Sequence, residues 1–247
     1  MSDPTTETTE FAPCFRSRQA RPERDQALMQ RAFELRYQVY CEECHFLPAS
    51  DYPQRRESDD FDTHSAHFCA FNLRDELVGY VRLVRSNDRG GFPFQQHSGE
   101  LLQGMALAPA PASAEISRLM LRQDYRRRRT DLLSGPAAEE ENGEVQRERR
   151  DHSPQILLSL YRSMYAFSLG DGIRYWYAAM ERPLARILTR MSFPFRQLGP
   201  QTDYYGPVAA YLMDLRELEL SLDQKNPSLM AWLRRPPDDA AAGPTCA

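Results

Sequence analysis

The sequence predicts an α/β (α+β) fold, a mixed and mostly antiparallel sheet with helices on both sides. Three observations carry that expectation. Helix-like and strand-like periodicities follow one another in the order helix, hairpin, strand, loop, helix, strand, helix, strand, strand. Charges sit beside or inside apolar runs at Glu57–Asp62, Val78–Leu83 and Glu115–Leu119; burying a charge is costly unless it is paired, so these runs imply a networked polar cleft. Finally, 247 residues with 41% hydrophobic content suit one large domain, or one domain with an insertion.

Residues 1–24 are polar and proline-containing and read as a mobile lead-in; they have no apolar core of the kind a signal peptide needs. The folded domain is expected over residues 25–235. Within it, residues 26–44 show helical spacing through Leu28, Ala32, Leu35 and Val39, and Arg36 lies in an adjacent stripe with Met29, Phe33 and Tyr40. Residues 47–63 are a polar loop. Residues 67–73 and 77–85 are β-like, joined by the turn Arg74-Asp75-Glu76. A long loop rich in Gly, Pro and Ala covers 86–113, and the next strand covers 115–121. Residues 130–152 carry too much charge to bury an apolar face and are expected to be a disordered insertion. Ser153-Pro154 opens a helix as N-cap and first helical residue, with Ile156, Leu157, Leu160, Met164 and Phe167 on its buried face and Gly170 or Gly172 at its end. Residues 174–180 form an aromatic-rich strand. Pro183 starts a helix carrying Leu184, Ile187, Leu188 and Met191. Residues 195–198 and 208–214 are the last strands, residues 216–234 one or two short helices, and residues 236–247 a mobile tail.

The net charge of −4 supplies no global basic field, so no nucleic-acid partner is expected. No apolar run approaches the roughly 18 residues of a membrane span, so no transmembrane segment is expected. Cys14, Cys41, Cys44, Cys69 and Cys246 are odd in number and scattered; they imply no disulfide framework and fit a reducing cytoplasm. Cys41 and Cys44 form a lone CxxC without the second pair of a zinc site, which makes them half-buried thiols. The basic charge is nearly all arginine, whose fork suits carboxylate or phosphate.

On a regular strand Glu115 and Ser117 face one side and Arg118 the other. Arg82 stands alone in an apolar strand and needs a carboxylate partner. The Glu57, Asp59, Asp60, Asp62 cluster reads either as a solvated acidic loop or as the partner of such arginines. With His64 and His67 it lacks zinc or EF-hand spacing, so no metal is expected. Tyr204-Tyr205-Gly206-Pro207 is a turn whose aromatics either pack under the sheet or serve a site.

The order E-x-D-x-x-D (Glu57, Asp59, Asp62), G-x-x-R (Gly79, Arg82), E-x-S-R (Glu115, Ser117, Arg118) resembles the acyl-homoserine-lactone synthases and the long-chain N-acyl amino acid synthases, two branches of the GNAT acyltransferase fold. The phrases Leu35–Glu43, Glu115–Leu119, Glu181–Arg186 and Asp203–Gly206 further resemble acyltransferases associated with PEP-CTERM/exosortase systems, over about residues 26–232. The resemblance implies an N-acyltransferase that moves a fatty-acyl group from an acyl-phosphopantetheine thioester to the amine of an amino acid or related small molecule, with no bound cofactor. It implies a bulged, splayed central strand, with Glu115 as the base or amine-positioning group, Ser117 donating a hydrogen bond to the donor, and Arg118 orienting carboxylates or the substrate's acidic end. Glu57, Asp59 and Asp62 would pair with Arg36 and Arg82 and shape the amine site, and Tyr204 would protonate the leaving thiolate. An aromatic and apolar tunnel would draw on Trp176, Tyr177, Met180, Phe193 and Phe195. Where coenzyme A-dependent GNAT enzymes carry a glycine-containing pyrophosphate loop, this chain has Arg126, Arg127, Arg128 and Arg129. With Arg122 these suit an acidic acyl carrier protein better than acyl-coenzyme A. A homoserine-lactone synthase using S-adenosylmethionine and a noncatalytic acyl-binding module are the alternatives. Tyr205 departs from the pattern, since a histidine often follows the first tyrosine.

Overall fold

The computed structural model describes residues 11–12, 14–86, 91–97, 100–125 and 153–236. The expected insertion at 130–152, Arg126–Arg129 and all but the first residue of the expected tail lie outside the described residues. Seven strands form one sheet: β1 (Phe15–Ala20), β2 (Ser65–Asn72), β3 (Leu77–Arg85), β4 (Ser113–Leu121), β5 (Tyr175–Glu181), β6 (Arg196–Asp203) and β7 (Pro207–Asp214). Their order is β1-β2-β3-β4-β5-β7-β6. Only the β4–β5 pair is parallel; the other neighbours are antiparallel, as expected. The described α-helices are α1 (Gln26–Tyr37), α2 (Ser153–Gly170), α3 (Arg182–Arg190), α4 (Leu215–Lys225) and α5 (Pro227–Arg234).

The N-terminal segment departs from the expectation of a mobile lead-in, because Phe15–Ala20 is the edge strand β1. What holds it is main-chain pairing with β2, from Phe15 opposite Asn72 to Ala20 opposite His67. Its inward residue on the α2 face is a serine. Ser17 Oγ bonds Ser159 O at 2.5 Å and lies 2.7 Å from Ser163 Oγ. A buried hydroxyl satisfied in this way leaves no apolar alternation for a sequence reading to find.

Helix α1 lays Leu28, Met29, Ala32 and Leu35 on one face of β1–β3. It then continues through a wide turn, Gln38–Glu43, where Cys44 N–H donates to Val39 C=O at 2.9 Å. On the other face, α2 is the crossover that parallel pairing of β4 with β5 requires. Its Ile156, Leu160 and Met164 pack with Phe68, Val81, Ile116 and Trp176 in the main core.

Two irregularities in β4 create the site. Arg82 pairs with Ser117 but Tyr80 with Met120, so β4 spends three steps where β3 spends two. Arg118 takes the extra step in the left-handed region, at φ 55°, a bulge that a non-glycine residue adopts at a cost. On the other side, β4 pairs with β5 only from Ser113–Tyr175 to Ile116–Ala178. Beyond that point the strands run on without pairing to Leu121 and Glu181, and a fork opens between them.

Candidate active site

The segment Glu57–Asp62 turns three carboxylates inward and holds two of them by its own local bonds. Asp59 accepts from Phe61 N–H at 3.0 Å, and Asp62 accepts from Asp59 N–H at 2.8 Å, a reciprocal cap on the short helical turn Asp60–His64. Three arginines from three elements meet these acids. Arg36, from α1 and fully buried, donates to Glu57 at 2.5 Å and to Asp62 at 2.6 Å. Arg82, from β3 and also fully buried, holds Asp59 through both terminal nitrogens at 2.6 and 2.7 Å and Asp62 at 2.5 Å. Arg118, from the β4 bulge, donates to Glu57 at 3.0 Å and to Asp59 at 3.0 Å, and its guanidinium lies 4.8 Å from the centre of the Tyr40 ring. All six residues of the expected charge network thus converge.

Burial raises the Asp62 carboxyl, but Arg36 and Arg82 outweigh it and bring the pKa down to about 2. Glu57 is likewise held below its ordinary value: burial opposes, and Arg36 and then Arg118 prevail. His67 closes the lattice from β2, 2.7 Å from Tyr80 Oη and 3.2 Å from Asp62 O. Burial lowers its pKa to about 4, so the imidazole is neutral at neutral pH.

Glu115 lies beyond this network. Phe94 N–H donates to its Oε2 at 2.9 Å, and burial pushes its pKa up to about 8, against the pull of that N–H, Arg82 and Arg118. Ser117 lies on the same face of β4, with Oγ 3.5 Å from Arg82 Nη2. At the mouth, Tyr204 stacks on His97 with ring centres 3.6 Å apart. Burial, followed by Tyr205, raises the Tyr204 phenol pKa above its ordinary value, so it keeps its proton. Tyr205, at φ 55°, stacks on Phe46 at 5.4 Å.

Two cavities meet here. One, of about 580 Å³, fills the β4–β5 fork and is lined by Glu115, Ile116, Ser117, Ala178, Met180 and Leu184 among others. The second, of about 620 Å³, is polar and includes Asp59, Asp60, His64, Arg82 and His97 in its wall. Pro93, Arg118, Tyr204 and Tyr205 border both.

The fold is that of the GNAT acyltransferases. A family model described as an acetyltransferase (GNAT) domain matches residues 35–134, from the end of α1 through β4. Two solved structures extend the likeness over the sheet. One is BjaI, a coenzyme A-dependent acyl-homoserine lactone synthase, with TM-score 0.60 and 19% identity over 85% of this chain and 88% of BjaI. The other is the synthase LasI, with TM-score 0.58 and 16% identity over 84% of this chain and 94% of LasI. FeeM, an N-acyl amino acid synthase from uncultured soil microbes, superposes with TM-score 0.49 at 14% identity, over 84% and 94%. That fit is too loose to bear on the acceptor. No curated protein matches the sequence.

Within this GNAT frame several sequence expectations need correction. Of the five tunnel residues, only Met180 lines the fork. Trp176, Phe193 and Phe195 belong to the core under α2, where Trp176 Nε1 donates to Ser168 at 2.9 Å. Tyr177 points to the opposite face, against Phe92 and Phe94. Arg122, expected at the carrier-docking surface, pairs with Asp124 at 2.8 Å and Glu76 at 3.5 Å, which leaves that expectation untouched. The sequence reading gave no site role to His97, Phe94, Tyr40 or Tyr80, and weighed His67 only as a metal ligand. The first two lie in a loop without periodicity, and nothing local marks them.

Proposed function

We propose that the chain is an N-acyltransferase moving a fatty-acyl group from acyl carrier protein to the amine of an amino acid or related small molecule. The observation that carries this reading is the junction of the two cavities. An apolar fork suited to an acyl thioester, with Glu115 and Ser117 in its wall, meets a polar pocket suited to an amine at Arg118 and Tyr204. The polar pocket favours an ammonium. Each of its arginines already faces two carboxylates, while Asp60 stays exposed at the wall.

In this reading an acceptor ammonium gives one proton to the Glu115 carboxylate, directly or through a water. The freed nitrogen attacks the thioester carbonyl carbon; the C–N bond forms and the C–S bond breaks. The thiolate takes a proton from Tyr204, which the second N–H proton of the new amide nitrogen restores. One proton is released to solvent overall. Arg36, Arg82, Glu57, Asp59 and Asp62 hold the walls, and Ser117 donates to the donor.

The carrier-protein donor rests on Arg126–Arg129 standing where a glycine-containing loop would be, and membership of a PEP-CTERM/exosortase system rests on the residue phrases that resemble it. A cytoplasmic site of action fits the cysteine usage. Among the described residues no helix is long and apolar enough to cross a membrane.

The test is mass spectrometry of lipid extracts, and of purified reactions with matched carrier-protein and coenzyme A donors, for wild type and Glu115→Ala. N-acyl amines that depend on Glu115 are expected. N-acyl lactones would move the assignment to a homoserine-lactone synthase. No product above the Glu115→Ala level would end the transferase reading.

A further inference from the structure

Helix α3 forms one rim of the fork. Its Pro183, Leu184 and Ile187 border the cavity, while Ala185 and Leu188 are buried in the main core. Arg182, Arg186 and Arg190 recur at every fourth residue, which puts them on one face of the helix. All three are exposed, and none pairs with an acid among the described residues. By contrast the exposed Arg196, Arg216 and Arg234 hold Glu217, Asp214 and Asp223 at 3.1, 2.8 and 2.9 Å. Two large apolar side chains of the cavity wall also reach solvent: Ile187, 48% exposed, and Phe46, 38% exposed. Glu181 is the one exposed acid among the described residues of that wall.

Water gives this combination no return. Like charges on successive helical turns repel, and an exposed isoleucine and phenylalanine leave apolar area hydrated. An anionic lipid surface offsets both costs, because arginines meet its phosphates and apolar side chains pass below its headgroups. The whole chain carries a net charge of −4, which such a surface repels, so only a face with its own arginines can dock there. An acidic protein would also answer the arginines. Lipid is favoured because the exposed apolar residues belong to the wall of an apolar cavity whose product, in the acyl-transfer reading, is itself a lipid. Releasing an acyl chain into water costs about a factor of four per methylene, a cost that release into a bilayer avoids.

We propose that α3 and Phe46 form a lipid-facing surface that seats the fork on an anionic membrane, so that the acylated product passes into the bilayer. The passage of product rests on the acyl-transfer reading; the docking does not. Two apolar side chains bury far less than a lipid anchor, so the binding is reversible and depends on charge.

The experiment sediments the full-length protein with vesicles of phosphatidylglycerol or of phosphatidylcholine. Wild type is compared with the triple variant Arg182→Gln, Arg186→Gln, Arg190→Gln and with Ile187→Asn. Wild type should bind phosphatidylglycerol about 10-fold or more tightly than phosphatidylcholine, and less tightly as salt rises. Each arginine near an anionic surface contributes about fivefold, so the triple variant should lose about 10-fold or more. Ile187→Asn should lose less and keep the salt dependence. Melting temperatures should hold in the triple variant, whose arginines are exposed and unpaired, and its KM for carrier protein without vesicles should not change. No binding of wild type to phosphatidylglycerol, or unchanged binding in either variant, would overturn the proposal. So would a raised carrier-protein KM in the triple variant without any vesicle binding, which would make the face a protein dock. Vesicle binding without turnover of any donor would uphold the docking and remove the transferase reading. Turnover without vesicle binding would remove the docking alone.

Discussion

Arg82→Ala tests whether the charge network holds the site in shape. The Arg82 side chain is fully buried and makes three bonds of 2.5–2.7 Å to Asp59 and Asp62. Removing one partner of a buried pair costs roughly 3–5 kcal/mol, mostly through the charge left behind. Here the lower end applies. Arg36 still donates to Asp62 at 2.6 Å, Arg118 still donates to Asp59 at 3.0 Å, and Asp59 is itself 27% exposed. For a chain of this size about 3 kcal/mol corresponds to a melting-temperature drop of about 6–12 °C. Thermal unfolding followed by circular dichroism reads it directly, and pH supplies a check on the cause. Asp62, lowered to about 2, contributes stability that is present above its ordinary value of 3.8 and lost as pH falls through about 2. Arg82 is one source of that lowering, so the deficit of the variant should be full at pH 7 and shrink between about pH 4 and pH 2. Arg82→Lys, which keeps the charge but not the fork, should fall between wild type and Arg82→Ala. A melting temperature within about 2 °C of wild type at pH 7 would refute the pairing as a structural element.

Glu115→Gln should fold and lose roughly 10²–10⁴-fold in turnover. Wild-type rate should climb as pH passes about 8, where the carboxyl ionises, and the variant should lack that step. Because the folded pKa is raised above 4.5, wild-type stability falls as pH rises through about 8, and the variant should be spared that loss; a stable variant with full turnover would remove Glu115 from the chemistry. Tyr204→Phe keeps the stack on His97, so its melting temperature should hold while kcat falls and KM stays; an unchanged kcat would leave the thiolate without this acid. Reversing two of Arg126–Arg129 to Glu should raise KM for the carrier protein and blunt its salt dependence, leaving kcat nearly intact. Equal efficiency with both donors, indifferent to salt, would remove the docking role.

Much of the site was legible because its signals are local. Arg82 stands out in β3 as a lone charge in an apolar strand, and Arg36 stands out in α1 for the same reason. Glu115 and Ser117 are two residues apart and fall on one face of β4 by the strand period alone. The composition of Glu57–Asp62 already offered the carboxylates that those arginines need. Placements that depend on non-local geometry were not legible from periodicity, and the bulge came only from the resemblance. Strict alternation puts Arg118 on the far face, and only the bulge at φ 55° turns it back to Glu57 and Asp59. β1 was hidden because its main chain, not its side chains, holds it to β2.

Apolar composition told that Trp176, Met180, Phe193 and Phe195 are buried, but a side chain in the core and one lining a cavity are equally apolar. Which is which depends on where β4 and β5 stop pairing, after Ile116 and Ala178. By itself the sequence determined the elements, their order and the paired charges, since periodicity and the cost of an unpaired buried charge act within a few residues or through simple complementarity. Only the tertiary structure decided where the fork opens and that His97 meets Tyr204. An open space and a contact between distant loops are properties of where the rest of the chain runs, which no local stretch of sequence contains.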